Sequence, residues 1–377
     1  MSILDDIIAT LGEEERVMLA TIVAATGSTP AAASSKLLLR RGGASPVGTI
    51  GGGCMEGEVV VRARQLYDGG FDEIMTCDLD DEETANGLIC GGRVEILLEH
   101  LTRTDLELFQ DLRALDERGE DCVVATLLGD DRRVAGRGLT HPAGIAAPVR
   151  WRRPDELSFL AGRVPTGLAE SVASVLRKGE PARVPVAGGT LLLEPWFATP
   201  RLVIFGGGHV GRCLSRAAAA AGFRVTVADD REKYANAERF PEASATRVID
   251  FAAAAAMVGP GAYAAIVTRG HAFDETVLEQ VLATDARYIG MIGSKKKVLA
   301  AMRHLHARGV PLDRLKSVHA PIGLEIGAVT AEEIAVSIVA QLIRVRRGCA
   351  GPAAYDKSDD ARLLLQDLGP QQLIATQ

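Results

Sequence analysis

The chain has 377 residues, long enough for two or three domains each with its own core. Its 42 Lys and Arg against 49 Asp and Glu leave a net charge of −7, which excludes a global field attracting nucleic acid or acidic membranes. Hydrophobic residues make up 47% but aromatic residues only 4%, a composition that favours an Ala/Val/Leu-rich α/β protein over a β-sandwich. The longest apolar runs, such as Phe251 to Val258, are far short of a bilayer span and no signal peptide opens the sequence. A soluble cytoplasmic protein is expected, with no membrane or nucleic-acid partner.

In chain order, Met18 to Ala24 reads as a buried strand followed by the turn Gly27-Ser28-Thr29-Pro30. Lys36 to Leu39 and Val47 to Ile50 read as strands around Arg41-Gly42-Gly43. The segment Gly51-Gly52-Gly53-Cys54-Met55-Glu56-Gly57 then carries an apolar strand into a helix, because Met55, Val59, Ala63 and Leu66 recur every three or four residues. Cys54 is thereby placed at or near a helix N-terminus, where the dipole and unpaired N–H groups favour a thiolate able to ligate a metal or attack sulfur. The glycines let another molecule approach the backbone closely. A mirrored element, Cys90-Gly91-Gly92, follows the strand Phe71 to Leu79 and precedes the strand Arg93 to Leu98. Two readings stand: buried cysteines in glycine turns, or one sulfur-bearing site shared by Cys54 and Cys90 and facing a cleft between domains. The six cysteines include no C-x-x-C pair, which argues against a zinc ribbon or a thioredoxin-like site. Cys77, Cys122 and Cys213 lie in apolar strand or helix patterns and read as core; Cys349 reads as incidental.

A helix from Thr104 to Arg118 precedes a strand over Cys122 to Leu128, and Val149 to Trp151 and Thr190 to Leu193 are further strands beside a helix near Leu168 to Arg177. Strands interrupted by few helices predict an α+β domain over residues 1–197. After Phe197-Ala198-Thr199-Pro200 the pattern becomes strand–helix alternation, and a Rossmann-type domain over 200–350 with a tail at 351–377 is predicted. Arg201 to Phe205 is a strand that runs into Gly206-Gly207-Gly208-His209-Val210-Gly211, a helix through Cys213 and Leu214 to Gly222, and a second strand ending at Asp229 and Asp230. Strand, G-x-G-x-x-G, helix and an acidic residue about 20 positions on satisfy the context of a dinucleotide fingerprint. Further strands are expected at Thr246 to Ile249, Ala264 to Thr268 and Tyr288 to Ile292, with helical patterns between them. The fold class is α/β: a Rossmann-type parallel sheet on the C-terminal side and an N-terminal α+β domain.

Ligands of open α/β sheets bind at the carboxyl ends of the strands. Gly206, Gly208, His209 and Gly211, the end of the second strand at Asp229, the turn before His271, and Gly293-Ser294-Lys295 should converge there. Asp229 would take a ribose hydroxyl, and the helix start at Ser294 and Lys295 a phosphate. A solvated basic helix start and a capped turn histidine are the competing readings of Lys295 and His271. Pro321 to Gly327 feeds a helix capped by Thr330 and Glu333 and buried along Ile334, Ile338 and Leu342, so Gly323 and Glu325 are expected near the same site. A merely structural turn is the alternative there. No Tyr-x-x-x-Lys pair and no G-x-x-x-x-G-K-[ST] phosphate loop follow the fingerprint.

With these motifs in hand, the chain resembles the XdhC/CoxI family of accessory proteins for molybdenum hydroxylases. The resemblance runs from about Arg16 to Gly348 and rests on Gly51 to Glu56, Cys90 to Gly92, Gly206 to Gly211, Gly293 to Lys297 and Pro321 to Ala328. Many relatives have Ser where this chain has Gly51. The resemblance implies a chaperone that binds the molybdenum cofactor, supports its sulfuration with a cysteine desulfurase, and delivers it to an apo molybdenum hydroxylase such as xanthine dehydrogenase. It makes Cys54 the favoured molybdenum contact, with Glu56 and Cys90 in the same cofactor site. A homodimer without turnover of its own is expected. An NAD(P)-dependent oxidoreductase and a metal-free regulatory module sensing a nucleotide are the competing functions.

Overall fold

The computed structural model describes residues 3–29, 33–43, 45–70, 72–78, 92–130, 133–140 and 167–348. Cys90, the strand expected at Val149 to Trp151, Cys349 and the tail lie outside the described residues. The chain divides into two compact units, Met1–Ala198 and Thr199–Gln377.

The first unit contains α1 (Ile3–Glu13), β1 (Arg16–Gly27), β2 (Lys36–Leu39), β3 (Val47–Gly48), α2 (Gly53–Gly69), β4 (Glu73–Asp78), β5 (Gly92–Thr102), α3 (Leu106–Arg118), β6 (Cys122–Gly129), β7 (Val134–Thr140), α4 (Leu168–Lys178), β8 (Ala182–Val186) and β9 (Gly189–Trp196). Two antiparallel sheets form, in the orders β3-β2-β1-β5-β4 and β7-β6-β9-β8. β1 is apolar almost throughout because both its faces are covered. Met18, Ala20 and Ile22 pack with Met55, Val59, Ala63 and Leu66 of α2. The alternate residues Val17 and Leu19 join a core shared with α1, α3 and β6, and Val23 packs with Leu128 and Leu192 of the second sheet. The far face of that sheet is covered by Leu168, Val172 and Val175 of α4. The layers are thus α2, sheet, sheet, α4. Two buried ion pairs cross between the sheets: Lys36 of β2 with Glu194 of β9, and Arg137 of β7 with Glu99 of β5. Arg137 also reaches Asp105 at 2.8 Å.

The second unit contains β10 (Arg201–Phe205), α5 (His209–Ala220), β11 (Arg224–Asp229), β12 (Ala245–Val248), β13 (Tyr263–Ile266), α6 (His271–Leu282), β14 (Tyr288–Met291), α7 (Lys295–Ala307), α8 (Leu312–Lys316) and α9 (Ala331–Arg347). Its five strands are all parallel, in the order β12-β11-β10-β13-β14, so the order reverses between β10 and β13. Side chains alternate between the faces. Leu202, Ile204, Val225 and Val227 pack with Leu214 of α5 and Ile338 and Leu342 of α9. Val203, Phe205, Ala264 and Ile266 pack with α6, α7 and α8. This is a Rossmann-type sheet, as the alternation predicted.

Five local readings change. α1, β7, β8 and α8 have no counterpart in the predicted elements. Phe251–Met257, read as part of a helical pattern, makes a short 3-10 turn started by the Asp250 carboxylate, which accepts from Ala252 N–H at 2.9 Å.

Candidate functional site

Because the strands of the second unit are parallel, the loops after β10, β11, β13 and β14 leave the same edge of the sheet. A parallel bridge between Gly290 and His319 brings the Pro321–Gly327 loop to that edge too. The fingerprint glycines differ in what each requires. A Cβ on Gly207 would meet the Tyr234 carbonyl at 1.9 Å, and one on Gly211 the Gly206 carbonyl at 2.0 Å. Gly206 has φ 113° and its Cβ would meet the Val267 carbonyl at 2.4 Å. These three hold the turn and the helix against the strands. A Cβ on Gly208 would meet nothing within 4 Å. Gly208 alone of the four leaves backbone open to an approaching molecule.

α5 begins after Gly208, α6 after Gly270 and α7 after Ser294, and none of the three has a side-chain cap. α9, by contrast, carries the full capping box of Thr330 and Glu333, as read from the sequence. An uncapped N-terminus keeps N–H donors and the positive dipole end for an anion. Lys295, Lys296 and Lys297 form the first turn of α7, on the exposed side. His271 is the first residue of α6.

Asp229 stands at the end of β11 with its side chain 2% exposed. Its carboxylate accepts from Gly207 N–H at 2.9 Å, from Arg231 N–H at 3.1 Å and from the Arg231 guanidinium at 2.9 and 3.2 Å. Burial works to raise its pKa, but the Arg231 and Gly207 hydrogen bonds outweigh it and hold the carboxyl below its usual range. Asp229 therefore braces the glycine loop. Asp230 is the more exposed carboxylate, at 22%, and pairs with Arg269 at 2.7 Å. Arg231 lies over the Tyr234 ring at 3.8 Å, and Arg239 donates to the Gly207 carbonyl at 3.0 Å. These arginines were not among the predicted site residues; an Arg two positions beyond the acidic strand end was the available signal.

Gly323 donates its N–H to Gln341 at 2.8 Å, and Ser337 Oγ donates to the Leu324 carbonyl at 2.6 Å, so the loop is stitched to α9. The exposed Glu325 accepts from Gly327 N–H at 3.2 Å. Gly293 opens the turn before Ser294 with φ 156°.

In the first unit, Gly51, Gly52 and Gly53 have φ of 120°, 71° and 66° in succession, a path closed to other residues without strain. Cys54 follows as the second residue of α2, half-buried. Glu56 Oε2 accepts from Thr49 Oγ at 2.8 Å and from the N–H groups of Ile50 and Gly52 at 3.2 and 3.1 Å. Burial would raise its pKa, but these hydrogen bonds prevail and lower it. Glu56 thus fixes the glycine loop that presents Cys54. Cys77 and Cys122 are core residues, as read: burial pushes their thiols up to about 11 and about 12. Cys213 is not. It is only partly buried, with Sγ 3.5 Å from Glu332 Oε1 in the first turn of α9. The apolar helix pattern around it concealed a partner 119 positions away.

The geometry defines a protein of two units, the second a Rossmann domain with an anion-ready carboxyl edge. Residues 202–342 match the model of the XdhC Rossmann domain, and residues 11–78 match the model of the XdhC and CoxI family. The chain belongs to the XdhC and CoxI family. It is 26% identical over 349 residues to a probable xanthine dehydrogenase subunit of Bacillus subtilis (strain 168), covering 91% of this chain and 97% of that one. It is 34% identical over 155 residues to the "Uncharacterized protein YqeB" of Escherichia coli (strain K12), a match over 40% of this chain that spans only 28% of that protein. A Bacillus halodurans crystal structure described as a xanthine dehydrogenase shares the fold, with TM-score 0.72 and 24% identity over 94% of this chain and 99% of the other. Among the described residues no helix is long and apolar enough to cross a membrane.

Proposed function

We propose that this protein is an accessory factor that holds the molybdenum cofactor for a xanthine dehydrogenase-type hydroxylase. In this reading it retains the cofactor while a cysteine desulfurase supplies sulfur, then delivers it to the apo-enzyme. The observation that carries the reading is the carboxyl edge of the second unit, where α5, α6 and α7 start without side-chain caps around an open Gly208. That edge fits a phosphate-bearing pterin or its nucleotide form. The N–H groups following Gly208 and the Ser294–Lys295 turn would receive the phosphate, with Asp230 and Arg231 available to a ribose. Asp229 would act indirectly, by holding Gly207. Cys54, in the first unit, offers a soft sulfur donor of the kind molybdenum takes. When bound, the cofactor supplies the molybdenum centre on which the client's hydroxylation depends. Family membership and the name of the Bacillus subtilis relative support the choice of client class.

The test is to purify the full chain from cells making the cofactor, measure molybdenum and pterin, and titrate with NAD(H). Molybdenum and pterin bound together, without NAD(P)H turnover, are expected. Absence of both, or steady NAD(P)H oxidation with a small substrate, would overturn the proposal in favour of an oxidoreductase. Arg231 beside the acidic strand end keeps that second reading alive, since an arginine there accommodates a 2′-phosphate.

A further inference from the structure

His209 and Cys213 are one helical turn apart on α5, and Glu332 opens α9, which packs beside α5. Cys213 Sγ lies 3.5 Å from Glu332 Oε1, and His209 Nε2 lies 3.9 Å from the same oxygen. All three ligand atoms fall within 4.8 Å of one another. We propose that these residues form a binding site for a divalent transition metal of borderline softness, zinc or a close relative, with three protein ligands and one open position.

The spacing suits such an ion. A metal with bonds of about 2.3 Å to sulfur and about 2.0 Å to oxygen, in tetrahedral geometry, separates those two atoms by about 3.5 Å. The exposed imidazole must close in, from 3.9 Å to about 3.3 Å from the carboxylate oxygen. The donors are a thiol, an imidazole and a carboxylate, the set that zinc takes and that magnesium and calcium do not. The carboxylate is preorganised: the capping box fixes the first turn of α9, and Cys213 already donates to Glu332. The thiolate and the carboxylate together neutralise a divalent ion. The N-termini of α5 and α9 both point their positive ends at this place, so an anion is the favoured fourth ligand. The Cys213 thiol is held protonated by burial and by the neighbouring Glu332 charge, and metal binding would release that proton. Cys54 takes no part, and the site goes beyond the cofactor-holding role proposed above.

The full chain, freed of metal with a chelator, is titrated with cobalt(II) as a spectroscopic stand-in for zinc. One equivalent should bind, giving the visible bands of tetrahedral cobalt and a near-ultraviolet thiolate charge-transfer band of single-thiolate intensity, both abolished by zinc. Cys213→Ser should lose the charge-transfer band, and Glu332→Gln should weaken binding by about tenfold or more, since even outer-shell partners are worth that much. Far-UV circular dichroism checks the fold of each variant; Glu332 is exposed, so its variant decides the matter if Cys213→Ser does not fold. No thiolate–cobalt band in the unaltered protein, a band undiminished in Cys213→Ser, or unchanged affinity in Glu332→Gln would each overturn the site.

Discussion

Neighbouring residues in one loop are predicted to fail in opposite ways. Gly207 is walled in by the Tyr234 carbonyl and Gly208 faces open space. Gly207→Ala should lower the melting temperature, because a backbone atom is what must shift. Gly208→Val should cost about 1 kcal/mol, as an apolar side chain at an N-cap does, while abolishing cofactor retention and activation of the client. Thermal melts and molybdenum content, measured on both variants, separate the two effects. A Gly208→Val protein that retains its cofactor would remove the open backbone from the site. Cys54→Ser is the matching experiment in the first unit. The swap is nearly isosteric at a half-buried helix start, so the melt should hardly move while bound molybdenum is lost. Full molybdenum retention by that variant would refute the metal-contact role of Cys54.

At the scale of elements, α9 has a side-chain cap at its start that α2 to α8 lack. α9 is closed by its capping box, and Thr330→Ala should destabilise the protein by about 1 kcal/mol in urea unfolding. α5, α6 and α7 have no such side chain to lose. The box was legible in the sequence because its two partners are three residues apart. The strands β2, β10 and β14 and the glycine fingerprint were legible for the same reason: their signal is local. β7 and β8 were not. β7 is interrupted by Gly136 and Gly138, and β8 contains Pro185 and is only half-buried along its length, so neither shows the continuous apolar run of β1 or β6. The site was legible as a set of loops, through the crevice rule. The brace from Asp229 to Gly207 and the contact from Cys213 to Glu332 were not, since each joins elements whose neighbourhood only the finished sheet creates.

For the molecule as a whole, acid is the exposed flank. Asp72 resembles Asp229 and Glu56 in balance: burial opposes its charge, but hydrogen bonds from His100 and the nearby Arg137 charge win and lower its pKa. A carboxyl whose pKa is lower folded than unfolded contributes its stability above the unfolded value of about 4 and loses it as pH falls through the folded value. The contribution of these three carboxyls should therefore be constant above about pH 5 and decline below about pH 4. Asp72→Asn should flatten that decline; an unaltered acid limb in urea titrations would show that Asp72 contributes nothing to it.

The two ion pairs between the sheets of the first unit run in opposite senses. Lys36 puts its positive charge on the first sheet, whereas Glu99 puts a negative one there. Valine and leucine faces will slide over one another in many arrangements, but charges will not. Turning one sheet end over end, so that the partners exchange, would set Lys36 against Arg137 and Glu99 against Glu194. The pairs thus work as a keyed plug, admitting one orientation. Replacing Lys36 and Glu194 together by methionine should leave stability near its starting value, while Glu194→Gln alone should cost about 3–5 kcal/mol by stranding the lysine. What the double variant should give up is uniqueness, visible as broadened amide resonances from β2 and β9.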